Sequence, residues 1–350
     1  MQHSVDETTR SKRQEFYDRL KPHDLAPLWE VMKGMLPPEP SSKALPHRWR
    51  YQDIRPLVIE SGSLLTAEEA ERRVLVLENP AFPGQSRATS TLYAGIQVIM
   101  PGETAPAHRH TPSALRFMLE GEGAYTAVGG ERTKMSFGDF VITPAWAYHD
   151  HGNEGSDPAV WLDGLDVPMI AFFEAVFRED YNDDRQEIMR PEGDSLARFG
   201  SGLLPLSGGS RYGLTTPIFN YPYERTREAL YKASRGEAVD PHLGTTLRYA
   251  NPMDGGWTMP TMSAWVTLIP RDMETARIRS TDGIIMCIAE GSGTITVGDK
   301  VLDFSPRDVI AVPGWKWRSF KASEDCVVFC FSDRVAQEKL GYFCEDRARP

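Results

Sequence analysis

The chain has 350 residues and a formal net charge of -10, from 39 basic and 49 acidic side chains. Its 41% hydrophobic and 25% charged residues are the balance of a folded soluble protein, and the length suggests about two domains. This acidic balance lacks the basic footprint of a nucleic-acid binder, and no apolar run is long enough to span a bilayer or to form the core of a signal peptide.

Residues 11–20 are charged with helical spacing, and residues 25–35 place Leu28, Val31, Met32 and Met35 on one helical face. Leu36-Pro37-Pro38-Glu39-Pro40 stops that helix, and a further short helix is expected over 66–73. Residues 1–75 thus read as an N-terminal helical arm packed onto a larger body. From Val74 the pattern changes to short strands broken by Gly and Pro, over 92–100, 114–119, 124–128, 140–143 and 159–162. Their spacing suggests a sandwich or small barrel. The chain then repeats itself. EGEGAYTAVGGERTKMSFGDFVITPAW over 120–146 returns as EGSGTITVGDKVLDFSPRDVIAVPGW over 290–315, which implies two copies of one β domain. The expected division is 76–180 for the first copy, 181–240 for a connector with one helix at 224–233, and 241–350 for the second copy. The cysteines are Cys287, Cys326, Cys330 and Cys344, without metal-site spacing. Cys326 and Cys330 would lie roughly 13 Å apart along one strand, beyond disulfide reach, which suits buried thiols of a cytoplasmic protein.

Four of the eight histidines fall between 108 and 151. His108 and His110, one residue apart, point to the same face of a strand, and His149 and His151 repeat that spacing. Gly102, His108, His110 and Gly121, then Gly138, Pro144, His149 and Asn153, resemble the two motifs of the cupin superfamily position by position. Two positions depart from it: Trp146 stands for a motif Gly, and Ala114 for the motif Glu. A metal held here would have three imidazoles and no carboxylate, a donor set that suits Fe, Zn, Cu or Ni and leaves coordination positions open. His151 is a fourth ligand, a hydrogen-bond partner of a ligand, a base beside the substrate, or a rim residue. The second copy has no His-x-His at 277–281, and Arg318 stands in the His149 slot. One metal per chain is therefore expected, with His242 structural.

Arg116 shares strand parity with His110, so it points inward, where it meets an anion or pairs with an acid such as Asp163. Tyr93 and Gln97 share one strand face, either toward the same cavity or outward. The stretch 49–166 is similar to the gentisate 1,2-dioxygenases and the related salicylate and 1-hydroxy-2-naphthoate dioxygenases. Ala44-Leu45-Pro46-His47-Arg48-Trp49, Glu71-Arg72-Arg73, Tyr93-Ala94-Gly95-Ile96-Gln97, His108-Arg109-His110, Arg116-Phe117 and Trp161-Leu162-Asp163-Gly164-Leu165-Asp166 carry that resemblance. It implies an all-β bicupin, two tandem double-stranded β-helix (jelly-roll) barrels behind the helical arm. It also implies a cytoplasmic, homotetrameric, Fe(II)-dependent ring-cleaving dioxygenase with one iron per chain, taking a small aromatic hydroxy acid and O2. On that likeness His108, His110 and His149 hold iron; Arg72, Tyr93, Gln97 and Arg116 bind substrate; His151 and Asp163 support catalysis. Tyr93 stands where the salicylate-cleaving relative carries Trp, which favours gentisate, and Glu68 stands where that relative has Arg. The alternatives are salicylate or 1-hydroxy-2-naphthoate as substrate, a metal-dependent cupin isomerase that needs no O2, and a non-catalytic cupin that binds an aromatic acid.

Overall fold

A computed structural model describes residues 7–207, 212–236 and 239–349, without the Glu68 side chain. Part of the polar start, residues 1–6, and two pieces of the expected connector, 208–211 and 237–238, lie outside the described residues. The chain divides into two compact units between Ser41 and Ser42. In the smaller unit, helices Glu7–Leu20 and Leu28–Met35 are tied by Trp29 Nε1 donating to Tyr17 Oη (2.9 Å) and Tyr17 Oη donating to Glu30 (2.6 Å). Among the described residues, no helix is long and apolar enough to cross a membrane.

The expected arm reached residue 75, but residues 42–75 fold with the larger unit. Strand His47–Trp49 pairs with Val309–Val312, and the Tyr51 amide donates to Asp308 Oδ1 at 2.8 Å. Helix Tyr51–Leu64 follows and buries Tyr51 and Val58. Its sequence pattern is masked by Pro56 and Gly62, both poor helix formers, so only tertiary burial sustains it.

The larger unit holds two antiparallel barrels. The first closes a six-stranded sheet, ordered Asn220–Tyr221, Phe140–Thr143, Ala114–Glu120, Ala159–Leu165, Tyr93–Ile99 and Val74–Val76, over a five-stranded one. That second sheet runs Arg178–Asp180, Thr104–His110, His149–Asn153, Ala124–Val128 and Glu131–Lys134. The second barrel repeats this order, from His47–Trp49 through Val309–Val312, Ile284–Glu290, Cys326–Ser332 and Ser263–Ile269 to Thr245–Arg248. Its other sheet is Lys300–Phe304, Gly293–Val297, Arg318–Ala322, Ile278–Ser280 and Glu345–Arg347. Three cysteines are buried and unpaired, while Cys344 is exposed.

Strand alternation divides the first barrel's six-stranded sheet between two tasks. Leu115, Phe117 and Leu119 join the largest apolar cluster, which also contains Val266, Phe329 and Phe331 of the second barrel. Ala114, Arg116 and Met118 have the opposite parity; Met118 joins Ile99, Val141 and Trp161 in a smaller cluster inside the first barrel. Both faces are covered, so these strands read as continuous apolar runs. Gly121 turns the strand end at φ +93, where a Cβ would meet the Ala159 Cα at 2.7 Å. The connector is stitched to the first barrel: Gln186 donates to the Ala127 carbonyl and to Asp150, and a short helix Asp194–Phe199 precedes the expected one, observed as Tyr223–Gly236.

Phe117 and Phe329 stack at 4.3 Å with planes 10° apart, which fastens one barrel to the other. Phe329→Ala should therefore destabilise the chain by about 3–5 kcal/mol. Chemical denaturation checks this, and a loss under about 1 kcal/mol would place the cohesion of the two barrels elsewhere.

Candidate active site

Thr104–His110 and His149–Asn153 are antiparallel neighbours, and His108 lies opposite His149 in their register. His110 follows on the same strand face. The three ring centroids are 4.5 to 5.4 Å apart, and one ligand atom from each ring lies within 4.8 Å of the others. Among the described residues this is the sole group of three or more His, Cys, Asp or Glu with metal-binding geometry. The second barrel carries Ile278, Ser280 and Arg318 at the corresponding strand positions.

Backbone carbonyls select the ring tautomers. Nδ1 of His110 lies 2.7 Å from the Pro112 carbonyl and Nδ1 of His149 lies 3.0 Å from that of Ala147. A carbonyl only accepts, so both rings carry the proton on Nδ1 and keep the Nε2 lone pair for a ligand. His108 has two competing neighbours at Nδ1, the Pro106 carbonyl at 3.2 Å and Arg72 Nη2 at 2.8 Å. The guanidinium only donates, so the ligating tautomer of His108 is the one that donates to Pro106. Burial lowers all three imidazole pKa values, to about 3 for His108 and about 4 for His110, with Arg72 and the neighbouring rings adding repulsion. Three neutral, converging imidazoles, two of them held in the ligating tautomer, fit a divalent metal.

The triad borders a cavity of about 380 Å3, within the usual size of small-molecule sites. Arg72, Tyr93, Gln97, Arg116 and Asp163 line it too, so the sequence-predicted substrate residues come together. Of the two partners expected for Arg116, the acid is the one observed, and this residue also lines the cavity. Its guanidinium is buried, Nε lies 3.6 Å from Asp163 Oδ1, Nη1 donates to Thr143 Oγ1 (2.7 Å) and Nη2 donates to His151 Nε2 (3.0 Å). Asp163 also accepts from Trp161 Nε1 at 3.0 Å. Burial raises the Asp163 pKa to about 6, against the pull of Arg116. His151 is not on the cavity wall; it lies fully buried behind Arg116, with its ring beside His149 and Trp161. Arg116 Nε and His151 Nδ1 are buried without a hydrogen-bond partner among the described residues.

Sequence reading missed part of the wall. Gln85, Ser86 and Arg87 come from a loop with no motif, while Leu165, Val167, Pro168 and Ala171 close the apolar side. The last three sit on helix Val167–Phe172, which Asp166 and Pro168 announce as a helix start. Three guanidinium-bearing residues against one carboxylate-bearing residue line a cavity in an otherwise acidic chain, so the local field favours a bound anion.

Fold and site define a two-barrel cupin with one three-histidine centre beside a cation-lined cavity. Residues 95–166 match the cupin domain family. Gentisate 1,2 dioxygenase 1 of Aquipseudomonas alcaligenes is 50% identical over 96% of both chains. The 1-hydroxy-2-naphthoate 1,2-dioxygenase of Nocardioides sp. (strain KP7) is 34% identical over 90% of this chain and 82% of its own. The crystal structure of salicylate 1,2-dioxygenase from Pseudoaminobacter salicylatoxidans with gentisate superposes with a TM-score of 0.91 at 31% identity, covering 100% of this chain and 96% of that one. The chain belongs to the gentisate 1,2-dioxygenase family of ring-cleaving cupin dioxygenases.

Metal uptake normally displaces protons from its ligands. Here the depressed imidazole pKa values leave the triad unprotonated at pH 7. Calorimetric titration of the metal-stripped protein at pH 7 should give the same enthalpy in buffers of different ionisation heat. A buffer-dependent enthalpy amounting to about one proton or more would show that a ligand is protonated before binding.

Proposed function

We propose that the chain is an Fe(II)-dependent dioxygenase that converts gentisate and O2 to maleylpyruvate, with both oxygen atoms retained in the product. The observation that carries this reading is the convergence of three neutral imidazoles on the wall of a cavity rich in guanidinium groups. The 50% identical relative named a gentisate dioxygenase supports the substrate choice. Ferrous iron held by His108, His110 and His149 would supply open coordination positions for a chelating hydroxy acid and O2, and a path for electrons from the ring to oxygen. The bond broken joins the carboxyl-bearing and hydroxyl-bearing ring carbons.

The chain's own residues bind and orient. Arg116 and Arg72 offset the substrate carboxylate, and the fork of Arg116 is held in place by Thr143, His151 and Asp163. Gln97 and Tyr93 fix the ring from strand Tyr93–Ile99, which lies beside the strand of Asp163. Asp163 faces the cavity with a pKa near neutrality, which suits it to take the phenolic proton. His151 acts through Arg116, whose Nη2 it accepts. The apolar wall of Leu165, Val167 and Ala171 favours an aromatic ring, and the similarity to 1-hydroxy-2-naphthoate and salicylate dioxygenases supports those acids as a second reading. We propose the same division of labour between the copies, a metal-binding barrel centred on 76–180, with edge strands Val74–Val76 and Asn220–Tyr221, and a metal-free barrel from 241–350 completed by His47–Trp49. The exposed apolar side chains Leu28, Trp29, Met32 and Met35 support burial of the smaller unit's second helix in a homo-oligomer.

Oxygen uptake tests the activity directly. With Fe(II) restored, gentisate should consume one O2 per molecule as the product absorbance grows. Turnover that continues without O2 would replace the dioxygenase by an isomerase. His108→Ala should remove both iron and activity. Arg116→Lys keeps the charge and loses the fork, so it should retain iron while raising the KM for the acid about tenfold, a loss of about 1.4 kcal/mol. An unchanged KM would take Arg116 out of substrate binding.

A further inference from the structure

The residue between His108 and His110 points away from the cavity and makes a second, outer constellation. Arg109 lies with its guanidinium carbon 4.4 Å from the Trp146 ring and 4.5 Å from the Tyr148 ring, while Nη2 reaches both Glu179 oxygens at 2.8 Å. The Tyr148 hydroxyl donates to the same carboxylate. Trp146 and Tyr148 belong to the segment that leads into His149, and Glu179 lies opposite Arg109 on strand Arg178–Asp180. The Trp146 amide donates to the His110 carbonyl at 2.8 Å, which requires a left-handed backbone at φ +62. One guanidinium thus joins the strand that carries two ligands, the segment that carries the third, and the edge strand beside them.

The second barrel repeats this arrangement, with Trp317 in the place of Tyr148 and so without the hydroxyl bond to the acid. Arg279 lies 4.2 Å from the Trp315 ring and 4.8 Å from that of Trp317, and Nε donates to Asp346 at 2.9 Å with Nη2 2.8 Å from the same carboxylate. Asp346 lies opposite Arg279 in register, and Trp315, at φ +61, donates its amide to the Ser280 carbonyl at 2.6 Å. The ligand positions there are Ile278, Ser280 and Arg318. The clamp therefore exists without a metal to organise it, so its geometry comes from the protein. In the first barrel the same geometry sets where the imidazoles stand.

We propose that Arg109 is a positioning residue of the metal centre: its clamp on Trp146, Tyr148 and Glu179 fixes the spacing of His108 and His110 from His149 before the metal arrives. This rests on the metal reading above. The second barrel supplies the control, because breaking its clamp disturbs the same contacts without touching a ligand. The test titrates Co(II) into the chelator-stripped full-length chain and follows both affinity and the visible spectrum of the bound ion, with melting temperature measured in parallel. Arg109→Met should weaken Co(II) binding about tenfold or more and alter its spectrum. Arg279→Met should lower the melting temperature comparably and bind Co(II) as the wild type does. The proposal fails if Arg109→Met keeps wild-type affinity and spectrum, or if Arg279→Met weakens binding equally, which would assign the effect to global stability. Should Arg109→Met not fold, Glu179→Gln decides: it should weaken binding about threefold or more in the same direction, and wild-type affinity overturns the proposal. A wild-type chain that binds no Co(II) removes the metal centre itself, and that titration alone separates the two failures.

Discussion

The antiparallel register that sets His108 against His149 is the constraint on which the site depends. Side chains on a strand alternate, so a slip of one residue would turn His108 and His110 outward and bring Arg109 into the barrel. One layer orients the rings and a second holds the register. Inside, the Pro112 and Ala147 carbonyls fix the rings of His110 and His149. Outside, the edge strand Arg178–Asp180 pairs residue by residue with 108–110. Neither layer needs a metal. The imidazoles are neutral because burial makes their charged forms expensive, and neutral imidazole is the ligating form.

The cavity's polarity follows from the same economy of charge. A guanidinium in a barrel interior is tolerated only when its donors are met. Thr143 and His151 each take one hydrogen bond from Arg116, and Asp163 supplies the opposing charge without a hydrogen bond to Nε, at 3.6 Å. The arrangement is satisfied enough to persist and deficient enough to accept an anion. Arg72 has a divided allegiance of another kind, since its Nη2 lies against both the Pro106 carbonyl and the His108 ring. A carboxylate in the cavity offers this guanidinium a stronger partner than either.

What the sequence made legible follows from which features are periodic. The strand parity of 108 and 110, the inward parity of Arg116, and the duplicated Gly-x-Gly to Trp segment are local patterns, and each corresponds to an observed strand or turn. Helix Tyr51–Leu64 escaped because Pro56 and Gly62 interrupt its apolar spacing. The strand Arg178–Asp180 escaped because its three residues are charged and exposed, so only its partner makes it a strand. Gln85, Ser86 and Arg87 reach the cavity from a loop whose path depends on distant contacts, such as the Asn79 side chain bridging the Leu45 and Ala88 carbonyls. Gly at the position of Trp146 would satisfy the left-handed turn alone, and only the structure shows the indole packed against Phe177 and Arg109.

Comparison of the two barrels shows how one fold makes a cavity in one copy and a core in the other. Equivalent positions are defined by register: Arg116 lies opposite Asp163 in the first barrel as Met286 lies opposite Cys330 in the second. Gly95 lies opposite Asp163, and Trp265 takes the corresponding place beside Cys330. The second barrel therefore puts an indole where the first has no side chain, and the pocket bordered by Trp265, Met286 and Phe320 holds about 30 Å3. At Gly95 a Cβ would come within 2.4 Å of Val74 and 2.8 Å of the Tyr93 hydroxyl, so this glycine lets Tyr93 and Val74 form the wall. Hollowing a core removes packing, at about 20–30 cal/mol per Å3 of cavity by the measure of large-to-small substitutions. The filled second barrel, joined to the first through the Phe117–Phe329 stack, supplies the cohesion that a hollow barrel lacks. The filled copy is thus the counterweight that lets its neighbour keep an open, charged interior.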